Sequence, residues 1–430
     1  MALIDWAAVT LEATALLREY VRIDTSNPPG NEMKAAEFLR GVLEADGIEA
    51  EVAEAVPGRG NLFARIGPAG PTVCLLNHSD VVPVERGYWS VDPFAGELHR
   101  GSVWGRGTLD MKGMAIIELM SLLLVKRMGL PLRRGLSFLA LADEEAGSEF
   151  GATWVAEHRP SWMDAELVIN EGAYGMANLP GGTQLFQVSP TEKVPLWLRL
   201  TVKGRPGHGS VPHDDNCAER LVRALAKLEA WKQPLEITPV MRDHVMALAD
   251  AGLVRAANDK DIEAAAERSP GLRARLANTV VLTTISTGVK VNVIPSEASA
   301  TLDCRLLPHV DVEAFMTALR ATLADEQVGI EVLNRSTGAA TSMDHEFIEV
   351  VDDIVGELVE GARLVPDMTS GFTDSRIFRQ RGVASFGFIP CLIPPGELSG
   401  IHGHDERIGV DNLRLGIQIM TRVVQRLCGA

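Results

Sequence analysis

Four short, unbroken apolar runs constrain this chain more than any other feature: "TVCLLNHSD" (72–80), "LSFLALADEE" (136–145), "ELVINEG" (166–172) and "VASFGFIP" (383–390). A strand with one wet face alternates apolar and polar residues. These runs do not alternate, so both faces must be covered, which is the condition of a parallel sheet between helices. Parallel neighbours need long crossovers, and the helical pattern "MKGMAIIELMSLLLVKRMG" (111–129) is of the kind that supplies one. The expected fold class is α/β, a mostly parallel sheet with helices on both faces.

The middle of the chain reads differently. In "VPLWLRLTVKG", Val194, Leu196, Leu198, Leu200 and Val202 alternate with Trp197, Arg199 and Thr201, and "EASATLDCRLLP" (297–308) repeats the pattern. Helical segments "CAERLVRALAKLEAW" and "VDVEAFMTALRATLAD" lie between, whereas "AANDKDIEAAAERSPG" reads as a short solvated excursion. This predicts an inserted α+β domain with a small antiparallel sheet over residues 192–339, dividing a first domain built from residues 1–191 and 340–430.

With 430 residues, 46% hydrophobic and 23% charged, the chain is long enough for two domains with a substantial core. A net charge of -16, with no basic run beyond Arg133-Arg134, excludes nucleic acid and an anionic membrane surface as expected partners. No stretch of about 18 uncharged apolar residues predicts a membrane span. Cys74, Cys217, Cys304, Cys391 and Cys428 are odd in number and contain no CxxC pair, so they read as reduced packing residues. The N-terminal stretch carries Asp5 and Glu12 among its apolar residues, the pattern of an amphipathic helix and not of a leader, and the expected location is cytoplasmic.

In an open parallel sheet, ligands gather beyond the carboxyl ends of the strands. The first run delivers His78 and Asp80 there, the second Glu144 and Glu145, and the third Glu171. Singly, a His after a strand is an ordinary turn residue and adjacent Glu residues are solvated. Converging in a cleft, unpaired carboxylates repel one another and take up protons unless a cation lies among them. His with Asp and Glu is a ligand set for Zn2+, or for Mn2+ or Co2+ where geometry relaxes. In "HSD", Asp80 is placed to accept the proton on the second ring nitrogen of His78, orienting it without binding metal.

"WGRGTLDMKG" (104–113) begins like a dinucleotide fingerprint, but Asp110 occupies the third glycine position. Its glycines let the backbone swing Asp110 toward the same cleft, where one carboxylate can bridge two metals about 3.5 to 4 Å apart. An ordinary acid at a helix N-terminus is the competing reading. In "GIHGHDERIG", His402 and His404 mark either a ligand loop or a merely polar one.

At these residues the chain resembles the dinuclear-zinc hydrolase family that includes aminoacylase, acetylornithine deacetylase, succinyl-diaminopimelate desuccinylase and glutamate carboxypeptidase. "NHSDVVP", "GRGTLDMKG", "ADEEAGS", "INEG" and "HGHDERI" fall in the family's order, with "GRPGHGSVP", "VNVIPSEASATLDCRLLP" and "GFTDSRIFRQRGV" between them. The resemblance implies two divalent ions per chain, one on His78, Asp110 and Glu171, the other on Asp110, Glu145 and His402. It implies that Glu144 is the general base, and that His402 binds in preference to His404 because the family ligand lies four residues before Glu406. It assigns substrate contacts to His208, Asn292 and Arg376, with His208 delivered across a homodimer through the inserted domain. Arg376 could instead pair with Asp374.

The implied reaction is hydrolysis of an amide beside a free carboxylate. Deacylation of N-acyl-amino acids is favoured over dipeptidase or carboxypeptidase action, because Glu171 stands where some peptidase branches carry Asp and because the closing loop resembles that of aminoacylases. The chain departs from the family in following "DMKG" with Met114 and in having no charged residue in "HGSVP". A non-catalytic small-molecule carrier would have no need of a base beside the ligands. A Ser or Cys hydrolase would need a GxSxG elbow or a recognisable Cys motif, and neither occurs.

Overall fold

The computed structural model describes residues 4–430. Its main sheet begins with β1 (Ala50–Glu54), β2 (Gly60–Ile66), β3 (Thr72–His78), β4 (Gly135–Leu141), β5 (Ala165–Met176) and β6 (Gln184–Val188). The chain then builds a separate four-stranded sheet from β7 (Val194–Lys203), β8 (Thr279–Thr287), β9 (Glu297–Leu306) and β10 (Val328–Arg335). It returns to the main sheet with β11 (Ala362–Pro366) and β12 (Ala384–Ile393).

The order across the main sheet is β1-β2-β4-β3-β5-β6-β11, with β12 also on β5. The four apolar runs form the strands β4, β3, β5 and β12, and each pairs in parallel with its neighbour among them. Every residue of β3 and β4 is buried. The helix Lys112–Arg127 explains part of that burial: it is apolar almost all round, as befits a helix enclosed by the sheet and the helix Val410–Cys428. The N-terminal segment forms the amphipathic helix Trp6–Arg22, which buries Val9, Ala13, Leu17 and Tyr20 and is capped by Asp5.

In the second sheet the order is β8-β9-β7-β10, all antiparallel. The alternation holds: Val194, Leu196, Leu198, Leu200 and Val202 are buried with Ala298, Ala300, Leu302 and Leu306 under the helices Cys217–Ala230 and Val312–Leu323. The passages between the two sheets run side by side, bridged at Thr191 and Ala340 and by Thr341 N–H donating to the Pro190 carbonyl at 2.9 Å.

The stretch expected to be a solvated excursion is instead the helix Asp259–Arg268. Asn258 caps it, accepting from the N–H groups of Lys260 and Asp261 at 3.0 and 3.3 Å. Ile262 and Ala266, four residues apart, bury one narrow stripe against Met241, Val245 and Leu276, while the charged residues occupy the outer face. Only two positions of the helix are buried, and its other apolar residues are alanines, which left too little amphipathic signal to separate a helix from a loop.

Candidate metal centre

Strand ends of the main sheet gather the acidic residues. His78 closes β3 and is buried; its Nδ1 donates to the Asp80 backbone carbonyl at 3.0 Å, so Nε2 is left to face Asp110 Oδ1 at 3.2 Å and Glu171 Oε1 at 3.4 Å. The Asp80 carboxylate lies slightly farther from Nδ1, at 3.4 Å. It accepts from Asn27 Nδ2 at 2.8 Å and from the backbone N–H groups of Glu144 and Glu145 at 3.1 and 3.2 Å. Asp80 therefore ties the end of β3 to the turn after β4. Burial opposes its charge, but the bonds from His78, Asn27 and the Glu144 N–H hold its carboxyl below the ordinary range.

That turn is built by Asp143, which sits in the left-handed region at φ 68 and accepts from Arg59, from Asn27 at 2.9 Å and from the Phe150 N–H at 3.0 Å. The chain then passes so close to its own strand that a Cβ at Gly151 would collide with the Ala142 carbonyl. Glu144 and Glu145 are thereby aimed into the cleft. Glu144 is 6% exposed, and its buried Oε1 has no hydrogen-bond partner among the described residues.

His402 Nε2 stands 3.2 Å from both Asp110 Oδ2 and Glu145 Oε2. His404 is elsewhere, edge-on to the Tyr88 ring and 3.4 Å from Glu85. Two groups result, His78 with Asp110 and Glu171, and Asp110 with Glu145 and His402, each with its donor atoms within 4.8 Å of one another. Asp110 belongs to both.

Position 110 depends on a residue that the motifs did not single out for a role. Glu406 is fully buried and accepts from Arg106 Nη1 at 2.6 Å and from the N–H groups of Gly107, Leu109 and Asp110 at 3.0, 2.7 and 3.1 Å. One carboxylate thus pins the loop before Asp110 to the loop that carries His402. The sequence signal was there: an acid inside "HGHDERI" with only Arg407 as an adjacent partner.

The electrostatics fit a cation. Burial first, and Asp110 second, push Glu171 up to about 7. Burial also raises Glu145, with Asp110 adding to it, and raises Glu144 well above the carboxylate range, with Glu171 adding to it. Hydrogen bonds to Asp110 and Glu145 push His402 up to about 10. These are groups that need protons in order to coexist, and divalent cations among the same donor atoms answer that need with the imidazoles neutral. His, Asp and Glu donors in clusters that share one carboxylate suit zinc-type ions.

His208 and Asn292 lie apart from these groups within the chain. They are exposed neighbours, joined where Gly209 N–H donates to the Asn292 carbonyl at 2.8 Å beside the short ladder of Gly207–His208 with Val293–Ile294. Arg376 is buried, donating to the carbonyls of Thr373 and Gly147 at 3.0 and 2.8 Å and to Ser148 Oγ at 3.1 Å. It makes no direct pair with Asp374; Ser148 Oγ stands between them.

Two arginines, Arg305 and Arg275, line the cleft of about 520 Å3 that holds Glu144 and the acids of the two groups. Arg305 is held by Asp303 through Nε and Nη2, at 2.8 and 3.1 Å, and lies 5.0 Å from the Phe372 ring centre, while its buried Nη1 has no partner among the described residues. Strand alternation could have flagged it. In β9, Asp303 and Arg305 share the face opposite Leu302, Cys304 and Leu306, and that face turns to the cleft.

Comparison with known proteins fits this architecture. The family model "Peptidase family M20/M25/M40" matches residues 74–426. The N-fatty-acyl-amino acid synthase/hydrolase PM20D1 of Xenopus tropicalis is 31% identical over 368 residues, 82% of this chain and 71% of the relative. Aminoacylase-1 of Mus musculus is 28% identical over 429 residues, 96% of this chain and 95% of its own length. The M20 family metallo-carboxypeptidase Sso-CP2 from Sulfolobus solfataricus superposes with a TM-score of 0.76 at 19% identity, covering 96% of this chain and 98% of that one.

Proposed function

We propose, from the premise that the chain belongs to peptidase family M20/M25/M40, that it removes the acyl group from N-acyl-amino acids with two divalent ions held by His78, Asp110, Glu171, Glu145 and His402. That it is a metal-dependent amide hydrolase follows from the family and its relatives. Deacylation is favoured because both relatives are named for N-acyl-amino acid chemistry, one nearly over its whole length. The observation that carries the reading is Glu144: a buried carboxylate with a free oxygen, beside two donor groups that share Asp110.

Bound ions of this kind would lower the pKa of water toward about 7 and polarise the scissile carbonyl. Glu144 removes a proton from the attacking water and returns it to the leaving amine, a shuttle that its isolation from other hydrogen-bond donors keeps open. Asp80 holds both the His78 ring and the backbone of Glu144, so base and ligand keep their relative positions. Arg305, which lines the cleft beside Phe372, receives the free carboxylate of the substrate. Arg376 braces the loop 369–373 from behind, through the Thr373 carbonyl and the Phe372 ring.

His208 and Asn292 serve a second copy of the chain in this reading. Edge strand β8 leaves Val281, Leu282 and Ile285 exposed at 52%, 42% and 57%, and Val289 and Val291 follow fully exposed near Asn292. An unpaired apolar edge of this kind calls for a partner, and a homodimer formed there would place both residues at an interface. Light scattering of the wild type should give twice the 46.4 kDa chain mass, and Ile285→Lys should give a monomer with depressed turnover. A monomeric wild type would sink the shared-site part of the proposal. Among the described residues no helix is long and apolar enough to cross a membrane, and five buried free cysteines suit a reducing, cytoplasmic compartment.

The experiment that tests the reading is amino-acid release from a panel of N-acetyl-amino acids, longer N-acyl-amino acids and dipeptides, with zinc or cobalt added. Turnover is expected to be greatest on N-acyl-amino acids. Turnover confined to dipeptides or to C-terminal residues of longer peptides would replace deacylation by a peptidase activity.

A further inference from the structure

The cleft does not end at the metal-facing acids. Moving across the main sheet from Glu171 on β5, it is lined next by Gln187 on β6 and then by Asp367, which follows β11. At this level β12 lies between β5 and β6, Gly387 pairing with Asn170 on one side and bridging to Ser189 on the other, so three strand spacings of about 4.8 Å put that wall on the order of 14 Å from Glu171. Arg275, from the helix Pro270–Leu276, lines the same region.

Its guanidinium is fixed in place. Nη1 pairs with Asp367 and lies 3.4 Å from His244 Nε2, and Nε is 3.4 Å from the Gly271 carbonyl. His244 is buried, and its Nδ1 donates to the Pro366 carbonyl at 2.8 Å, which leaves Nε2 to accept from Arg275. Asp367 is itself shared, since it also takes Gln187 Nε2 at 3.3 Å and the Met368 N–H at 2.8 Å. Beneath them Met241, Val245, Leu276 and Met368 form a common core, so the helical insert and the cleft wall are locked together. Among the described residues Nη2 of Arg275 has no acceptor, and the side chain keeps 20% of its surface exposed.

Arg275, a cleft-lining residue, commits Nη1 and Nε to the protein and keeps Nη2 without an acceptor among the described residues, so the plane of its guanidinium need not be organised when a ligand arrives. The metal-facing residues and Arg305 already account for an amide and one carboxylate. We infer that Arg275 forms a second anion subsite, and that the preferred substrates carry a second carboxylate, either on the acyl group or on the amino-acid side chain. This inference rests on the deacylase reading above.

Two matched pairs test it and distinguish the two sources: N-succinyl-leucine against N-butyryl-leucine, and N-acetyl-glutamate against N-acetyl-norleucine. The wild type should favour the dicarboxylate by about tenfold in kcat/KM in one pair, mainly through KM. Arg275→Met should bring that ratio close to one. Arg275→Lys, which keeps a cation beside Asp367, should lower the ratio partway and stands in for the methionine variant if that one does not fold. A wild type with no preference in either pair, or a ratio that Arg275→Met and Arg275→Lys leave unchanged, overturns the subsite while leaving deacylation standing. No turnover of any of the four compounds takes down the deacylase reading and the subsite with it.

Discussion

Glu144→Gln is expected to slow hydrolysis by about 10²- to 10⁴-fold, the range that a positioned general base contributes. The substitution is nearly isosteric, and Glu144 makes none of the contacts within the two metal-facing groups, so metal content should remain at two ions per chain. Both measurements are needed. Lost activity with retained metal locates the defect in proton transfer, whereas lost metal would show that Glu144 is a ligand and would remove it from the role of base. The pH profile gives a further check. A base works only when deprotonated, so kcat/KM falls as pH is lowered through its pKa. Burial, with Glu171 adding to it, raises the Glu144 carboxyl and cations held beside it lower it again, so the test is whether the acidic limb disappears and not where it lies. Residual activity in Glu144→Gln should lack this limb, and an unchanged limb would assign it to another group.

Asp110→Ala should be more severe. Asp110 faces His78 Nε2 with one oxygen and His402 Nε2 with the other, each at 3.2 Å. Its removal leaves each group with two protein donors, fewer than the three that catalytic sites of this type supply. We expect metal content after dialysis to fall below one ion per chain, and turnover to drop on the order of 10³-fold or more, several kcal/mol in the barrier. Zinc binding should raise the melting temperature of the wild type, because an ion that binds the folded state draws the equilibrium toward it. The variant should lose that rise. If Asp110→Ala kept two ions and the full zinc-dependent shift, Asp110 could not be the shared ligand.

The residues that carry both predictions were legible because the chemistry of the strands is local. An apolar run ending in His or Glu announces a buried strand and what stands at its end. His78, Glu144, Glu145 and Glu171 needed no tertiary information to be placed at the carboxyl edge of one parallel sheet. The same logic failed for the helix Asp259–Arg268, whose stability comes from a cap and two buried side chains meeting Met241 and Leu276. It also missed Arg275, whose surroundings are assembled from three distant segments around His244, Asp367 and Gly271.

By itself the sequence determined the α/β class, the inserted antiparallel sheet and the edge of the sheet where the acids collect. These follow from periodicity and residue type, which act over a few positions along the chain. Only the tertiary structure decided that His402 and not His404 meets Asp110 and Glu145, that Glu406 holds the Asp110 loop, that Arg376 reaches Asp374 only through Ser148 Oγ, and that Arg305 and Arg275 line the cleft. Those outcomes depend on which partners reach a side chain across hundreds of residues, and burial settles them by leaving each charged group only the neighbours that the fold provides.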